Sequence, residues 1–396
     1  MKLSLITILL ALTTSAYGQD KPKWGIDFSA ELQGENRFFF NPGLYPSQEQ
    51  NFLSFSARPE LEITNKDETH TYVIALFGRV DQHDNNRTHA DIRELYSHWK
   101  WNRSELTVGF KKVFWGVTES VHLVDIINQT DQVEQFDGEA KLGQPMVNYQ
   151  VFGKLGTFEL YYLPYARKRQ FPDANGRLRF PLVIERDDIE IRSDLDHWYP
   201  SFAFRWSHYF GPFDIGISQF HGVAREPIFL PSESGDVTFF YPTVDHSGLE
   251  MQLIMGPWIW KFEGKRRIAA DQDFTALATG FEYTFSNIAK SGLDIGVVSE
   301  YLYDSRDELA FSNFDNDLFL GSRFVFNDVK GTEILAGGIF DLDRSTRFYS
   351  IEAERRLGSG FKGEIVMRLF ENTEQDEFAY FLREDDFLKI SLIRFF

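Results

Sequence analysis

Segments of nine to twelve residues with alternating apolar and polar side chains recur along almost the whole chain. A period of two marks a strand with one apolar face. Residues 24–32 place Trp24, Ile26, Phe28, Ala30 and Leu32 on one side. Residues 53–63 set Leu53, Phe55, Ala57, Leu61 and Ile63 against Ser54, Ser56, Arg58, Glu60 and Glu62. The same pattern returns at 202–210, 258–268, 293–303 and 318–326, and the chain closes on FLKISLIRFF, residues 387–396. Strands of a soluble sandwich average about five or six residues. Strands of this greater length cross a hydrocarbon layer at a tilt.

The connections narrow the choice further. Short ones at Asn102-Arg103, Leu155-Gly156, Gly211-Pro212, Gly256-Pro257 and 357–360 largely alternate with long charged ones at 41–50, 82–88, 116–144, 167–196, 222–237, 304–315 and 371–384. Alternating tight turns and long loops are a feature of transmembrane barrels. The expected fold is therefore all-β, a transmembrane antiparallel up-and-down β-barrel. It has about eighteen strands, or sixteen if the segments near 145–153 and 238–255 are misread. Trp24, Trp99, Trp101, Trp258, Trp260, Phe210, Phe285, Phe326 and Phe396 fall near the turn ends, where half-wet rings form an interfacial girdle.

The N-terminus places Lys2 before the apolar run Leu3–Leu12 and the small residues Ala16 and Gly18. This reads as a signal peptide over residues 1–18, leaving 19–396 as a single barrel domain. The apolar run is too short to span a bilayer as a helix. The net charge of −18 disfavours nucleic acid as a partner. With no cysteine among 396 residues, an exported chain must be held by its packing or its closure.

Two stretches carry a family resemblance. Residues 91–131 contain Arg93, Glu94 and Tyr96, then Gly109, then Trp115-Gly116, then Asp125, Asn128 and Asp131. This resembles a segment of the DUF1302-like proteobacterial barrel family, related in style to alginate-export and porin barrels. Phe110-Lys111 and Gln129 depart from the family pattern, where Arg-Gln and Pro are common. Residues 315–343, with the C-terminal segment, resemble barrels of the same kind. The resemblance implies fold and outer-membrane location, and implies little about substrate. The terminal Phe396 also resembles the signal such barrels show to their assembly machinery.

No catalytic signature stands out. There is no Gly-x-Ser-x-Gly, no HExxH and no paired Cys/His spacing, and the nine histidines are scattered. No enzyme, metal or cofactor is implied. Asp315/Asp317 and Asp341/Asp343 lack EF-hand spacing and read as solvated turns, or as cation bridges to lipopolysaccharide.

The segment 116–144 carries Glu119, Asp125, Asp131, Glu134, Asp137 and Glu139 against Lys141, around the apolar HLVDII. Such a loop, folded into a lumen, sets acids against wall bases and narrows the passage. The wall bases on polar strand faces are Arg58, Arg79, Lys111, Arg205, Lys261, Lys265, Arg267 and Arg323. The alternative keeps the loop outside and pairs these bases with wall acids such as Glu263, Glu282 and Glu300. The expected function is a porin-like channel for passive diffusion of small hydrophilic solutes or ions. A non-conducting barrel for lipid or polysaccharide transport or adhesion, and an outer-membrane hydrolase, are the alternatives. Expected partners are outer-membrane lipid and lipopolysaccharide, the barrel assembly machinery and small solutes, with a homotrimer left open.

Overall fold

The computed structural model describes residues 24–231, 237–270, 272–306, 314–375 and 377–396. The leader assigned to residues 1–18 lies outside the described residues. The first ten strands are β1 (Trp24–Phe39), β2 (Asn51–Asn65), β3 (His70–Asp81), β4 (His89–Lys100), β5 (Ser104–Lys111), β6 (Gln144–Gly153), β7 (Gly156–Leu163), β8 (Glu190–Ile191), β9 (Ser201–Phe210) and β10 (Phe213–Val223). They are followed by β11 (Ile228–Pro231), β12 (Val237–Tyr241), β13 (Thr243–Met255), β14 (Trp258–Ala269), β15 (Phe274–Ile288) and β16 (Leu293–Asp304). The last five are β17 (Asn316–Val325), β18 (Glu333–Asp341), β19 (Arg347–Gly358), β20 (Phe361–Glu371) and β21 (Phe387–Phe395).

Eighteen of these strands form one sheet, and β8, β11 and β12 form a small separate one. The large sheet closes on itself, because β1 pairs antiparallel with both β2 and β21. Closure is completed by Phe396, whose N–H donates to the Ala30 carbonyl at 3.0 Å. No edge is left open, as a sheet in lipid requires. The expected eighteen-stranded antiparallel barrel is what forms. The two weakest segments resolve into β6 and β13, while residues 237–241 leave the barrel as β12.

The pattern of burial is inverted relative to a soluble protein. Ile26 is 72% exposed, Phe55 60% and Val80 64%, whereas Glu263 and Glu300 are 0% exposed. Such surface apolarity combined with a charged interior suits a wall bathed in hydrocarbon outside and polar groups inside. The aromatics Trp101, Phe210, Phe285, Phe326 and Phe396 are exposed beside the short turns. β1 runs on past residue 32, where its alternation fades. Its outward positions there are Gly34, Asn36 and Phe38, and the first two carry no apolar signal.

At the end opposite the short turns the loops pack into a cap. Ala166, Phe171, Ile184, Ile189, Ile191, Val223 and Tyr241 form an apolar core beneath the β8–β11–β12 sheet. Arg177 ties three loops together. Its Nε donates to Asp385 at 2.6 Å, and its Nη atoms donate to the carbonyls of Asn41, Glu49 and Glu384.

Candidate functional site

The site is built around the segment between β5 and β6, residues 112–143, slightly earlier than the 116–144 read from sequence. Its entry begins with a β-bulge. Ala75 pairs with Glu94 and Leu76 with Ile92, so Arg93 has no opposite residue. A bulge re-aims a side chain. Arg93 is thereby buried and donates to Asp131 of the loop at 2.5 Å. Glu94 accepts the N–H of Lys112 at 3.2 Å.

Asn128 staples the base of the loop. It accepts the Val113 N–H at 2.9 Å and donates to the carbonyls of Lys111 and Leu142 at 2.9 and 2.8 Å. Trp115 is buried edge-on against Tyr161 of β7. Val124 and Ile127 pack in the same core with Met146, Ala203, Phe220 and Val244. Burying these two side chains contributes about 3–6 kcal/mol. At Gly116, φ is +144°, and a Cβ would meet Glu263 and His122 at 3.0 Å.

The loop then crosses to the far wall. Glu263 of β14 accepts the N–H of Val117 at 2.6 Å, the N–H of Thr118 at 3.0 Å and the Thr118 hydroxyl at 2.7 Å. Glu300 of β16 accepts the N–H groups of Glu119 and Ser120 at 2.8 and 2.9 Å and the Ser120 hydroxyl at 2.6 Å. His122 sits 3.1 Å from Glu139 and 4.0 Å from Glu263. Burial works against its charge, but the neighbouring carboxylates of Glu139 and Glu263 outweigh it and hold the imidazole's pKa up at about 10.

Loop acids meet wall bases at several points. Glu134 receives Arg79 of β3 in a two-pronged contact at 2.8–2.9 Å. Glu119 receives Arg323 of β17 at 2.7 Å and lies 3.7 Å from Lys261 of β14. Asp137 receives Arg368 of β20 at 3.1 Å. Arg58 stands half-exposed beside Glu31 at 3.1 Å.

The other residues expected to pair loop with wall find different partners. Asp125 pairs with Lys141 of its own loop at 3.1 Å, not with the wall. Lys111 packs over the Tyr96 ring. Arg205 is held between two wall carboxylates, Glu159 at 2.8 Å and Glu250. Lys265 and Arg267 sit over the Phe274 ring, and Arg267 also faces Glu226 at 3.9 Å from the 224–227 connection. Asp315 and Asp341 are answered by Arg344 at the ends of β17 and β18, and Asp317 is buried within β17, so these acids are not the solvated turns expected from sequence.

Sequence reasoning placed Glu263 and Glu300 as counter-charges to wall bases. Their place under loop N–H groups was not read, although both lay on the polar faces of their strands. It also missed Glu35, which gathers Arg87 at 2.8 Å and Arg79 at 3.4 Å inside the barrel.

The crossing loop divides the interior. One cavity of about 470 Å³ lies toward β1–β4 and β20–β21, lined by seven basic side chains and five carboxylates. A second, of about 590 Å³, lies toward β6–β13. A third, of about 470 Å³, lies toward β17–β20. The charged wall of the first cavity suits hydrated solutes rather than acyl chains.

No family model matches the chain, and no curated protein matches it. Among solved structures, it is similar to a BenF-like porin from Pseudomonas fluorescens, with 10% identity and a TM-score of 0.53 over 94% of this chain and 98% of that one. It is also similar to OccAB4 of Acinetobacter baumannii, with 10% identity and a TM-score of 0.53 over 95% and 98% of the two chains. At this identity the likeness is one of fold: a porin-type barrel.

Proposed function

We propose that the chain is an outer-membrane porin-like channel that passes small hydrophilic solutes or ions by diffusion. The observation that carries this reading is residues 112–143, pinned across the interior by Glu263 and Glu300 with a charged cavity on one side and a mixed one on the other. A segment so placed sets the narrowest section, and its acids beside Arg79, Arg93 and Arg323 set the field there. Arg58 and Glu134 line the basic side of this eyelet, and Asp131 lies behind it, buried against Arg93. The exposed apolar belt would contact lipid and lipopolysaccharide, after export by residues 1–18 and insertion by the barrel assembly machinery, with Phe396 as its signal. A homotrimer is the assembly to look for, by mass measurement in detergent.

The test is liposome swelling with the folded protein and solutes of graded size. A size cut-off, together with faster swelling than in protein-free liposomes, is the expected result. Swelling no faster than in protein-free liposomes, from protein that shows heat-modifiable migration, would refute a diffusion channel and favour the non-conducting alternatives.

A further inference from the structure

The lumen face of β17–β20 breaks the charged pattern of the rest of the wall. Phe319 pairs with Ile339, Ile339 with Phe348, and Phe348 with Phe370, so four apolar side chains form one continuous row across four strands. The next lumen-facing row is Gly321, Gly337, Ser350 and Arg368. A Cβ at Gly321 or Gly337 would come within 2.8 Å of the Phe319 ring. The ring therefore lies flat on a glycine floor. Phe136 of the crossing loop adds another ring, edge-on to Phe370 at 6.1 Å. At its Phe370 end the row joins the packed cluster of Phe39, Phe52 and Phe387, and its Phe319–Ile339–Phe348 part borders the third cavity.

Charge around this cavity is unbalanced. Its lining has four carboxylates, Glu119, Asp137, Glu139 and Glu352, against His122 and Arg368. Glu119 is answered by Arg323 and Glu139 by His122. Asp137 and Glu352 are left to share the single Nη2 of Arg368, at 3.1 and 2.5 Å, while its Nη1 donates to Ser350. Two carboxylates on one guanidinium leave one negative charge in excess, with Asp137 beside Phe136 of the aromatic row and Glu352 beyond Arg368 on β19. Aromatic faces attract cations, and a carboxylate beside them attracts the same charge.

We propose that this lobe is a binding station for a small organic monocation with a flat apolar body, its ring against the exposed part of the aromatic row and its charge drawn by the Asp137–Glu352 pair. The proposal rests on the channel reading only for its consequence in transport, since binding needs no conduction.

The experiment is calorimetric titration of the folded protein in a neutral detergent, with benzyltrimethylammonium as probe and benzoate as its anionic counterpart. The expected result is saturable binding of the cation, none of benzoate at the same concentration, and an affinity about tenfold weaker in Glu352→Gln. Glu352 is partly exposed, so this variant retains the fold, which heat-modifiable migration verifies. Ile339→Ser, which interrupts the apolar row without touching the charge, should weaken binding as well. Equal binding of benzoate, an unchanged affinity in Glu352→Gln, or absence of saturable cation binding overturns the proposal. Liposome swelling by the same preparation reports separately on the channel.

Discussion

The seating of the crossing loop on Glu263 can be perturbed at one atom group. In Glu263→Ala the N–H groups of Val117, Thr118 and Val124 lose acceptors at 2.6, 3.0 and 3.3 Å, while the Thr118 hydroxyl keeps the Val121 carbonyl at 2.5 Å. Leaving a buried donor unmet costs about 1–3 kcal/mol. The adjoining cavities admit water, so the low end applies, and three donors give about 3 kcal/mol. At about 1.4 kcal/mol per tenfold, the ratio of detached to seated segment rises about a hundredfold. Glu300 still holds Glu119 and Ser120, so the loop should loosen locally around 117–124. Hydrogen exchange in detergent should show the amides of Val117, Thr118 and Val124 exchanging about a hundredfold faster, with the barrel strands unchanged. Exchange within threefold of the parent at those amides, or equal acceleration in β6 and β7, would refute the reasoning.

Further outcomes follow from the same geometry. His122 is raised from an ordinary value of 6.5 to about 10, so its stabilising charge is complete below 6.5 and is lost as pH rises through about 10. Exchange at 117–124 should therefore be flat from pH 6 to 8, after correction for intrinsic rates, and should rise near pH 10; His122→Gln should abolish that rise. Asn128→Ala removes a buried side chain with three hydrogen bonds at the loop base and should cost about 2–4 kcal/mol of local stability, read as lost exchange protection at Val113. Deleting Phe396 removes the bonds with Ala30 that complete closure and should lower the yield of heat-modifiable barrel in refolding. Arg58→Glu reverses a half-exposed charge in the basic cavity and should shift the reversal potential in a salt gradient toward cation preference.

The barrel was legible because lipid imposes strict alternation. Residues such as Trp24, Ile26 and Phe28 must face outward, and every second residue turns inward. Alternation fades at Gly34, which lies under the Phe55 ring of β2, and at Asn36, and the upper half of β1 went unread. The site was less legible. Charges in 112–143 pointed to the loop, and HLVDII pointed to burial, but partner choice depends on a tertiary crossing. Asp125 finds Lys141 nearby in its own segment, so it never reaches the wall. Glu263 and Glu300 accept backbone N–H groups, which are identical in every residue and leave no trace in sequence. The bulge at Arg93 likewise places two successive side chains inward, against the period of two on which strand reading depends.

The central claim is that residues 112–143 narrow an open, water-filled passage. It is tested most directly by single-channel recording of the folded protein in a planar bilayer under a salt gradient, alongside Glu263→Ala. Steady step-like openings in the parent, and larger or noisier steps in Glu263→Ala, are the expected result. A silent bilayer with heat-modifiable protein inserted, or identical steps from both proteins, would contradict the account.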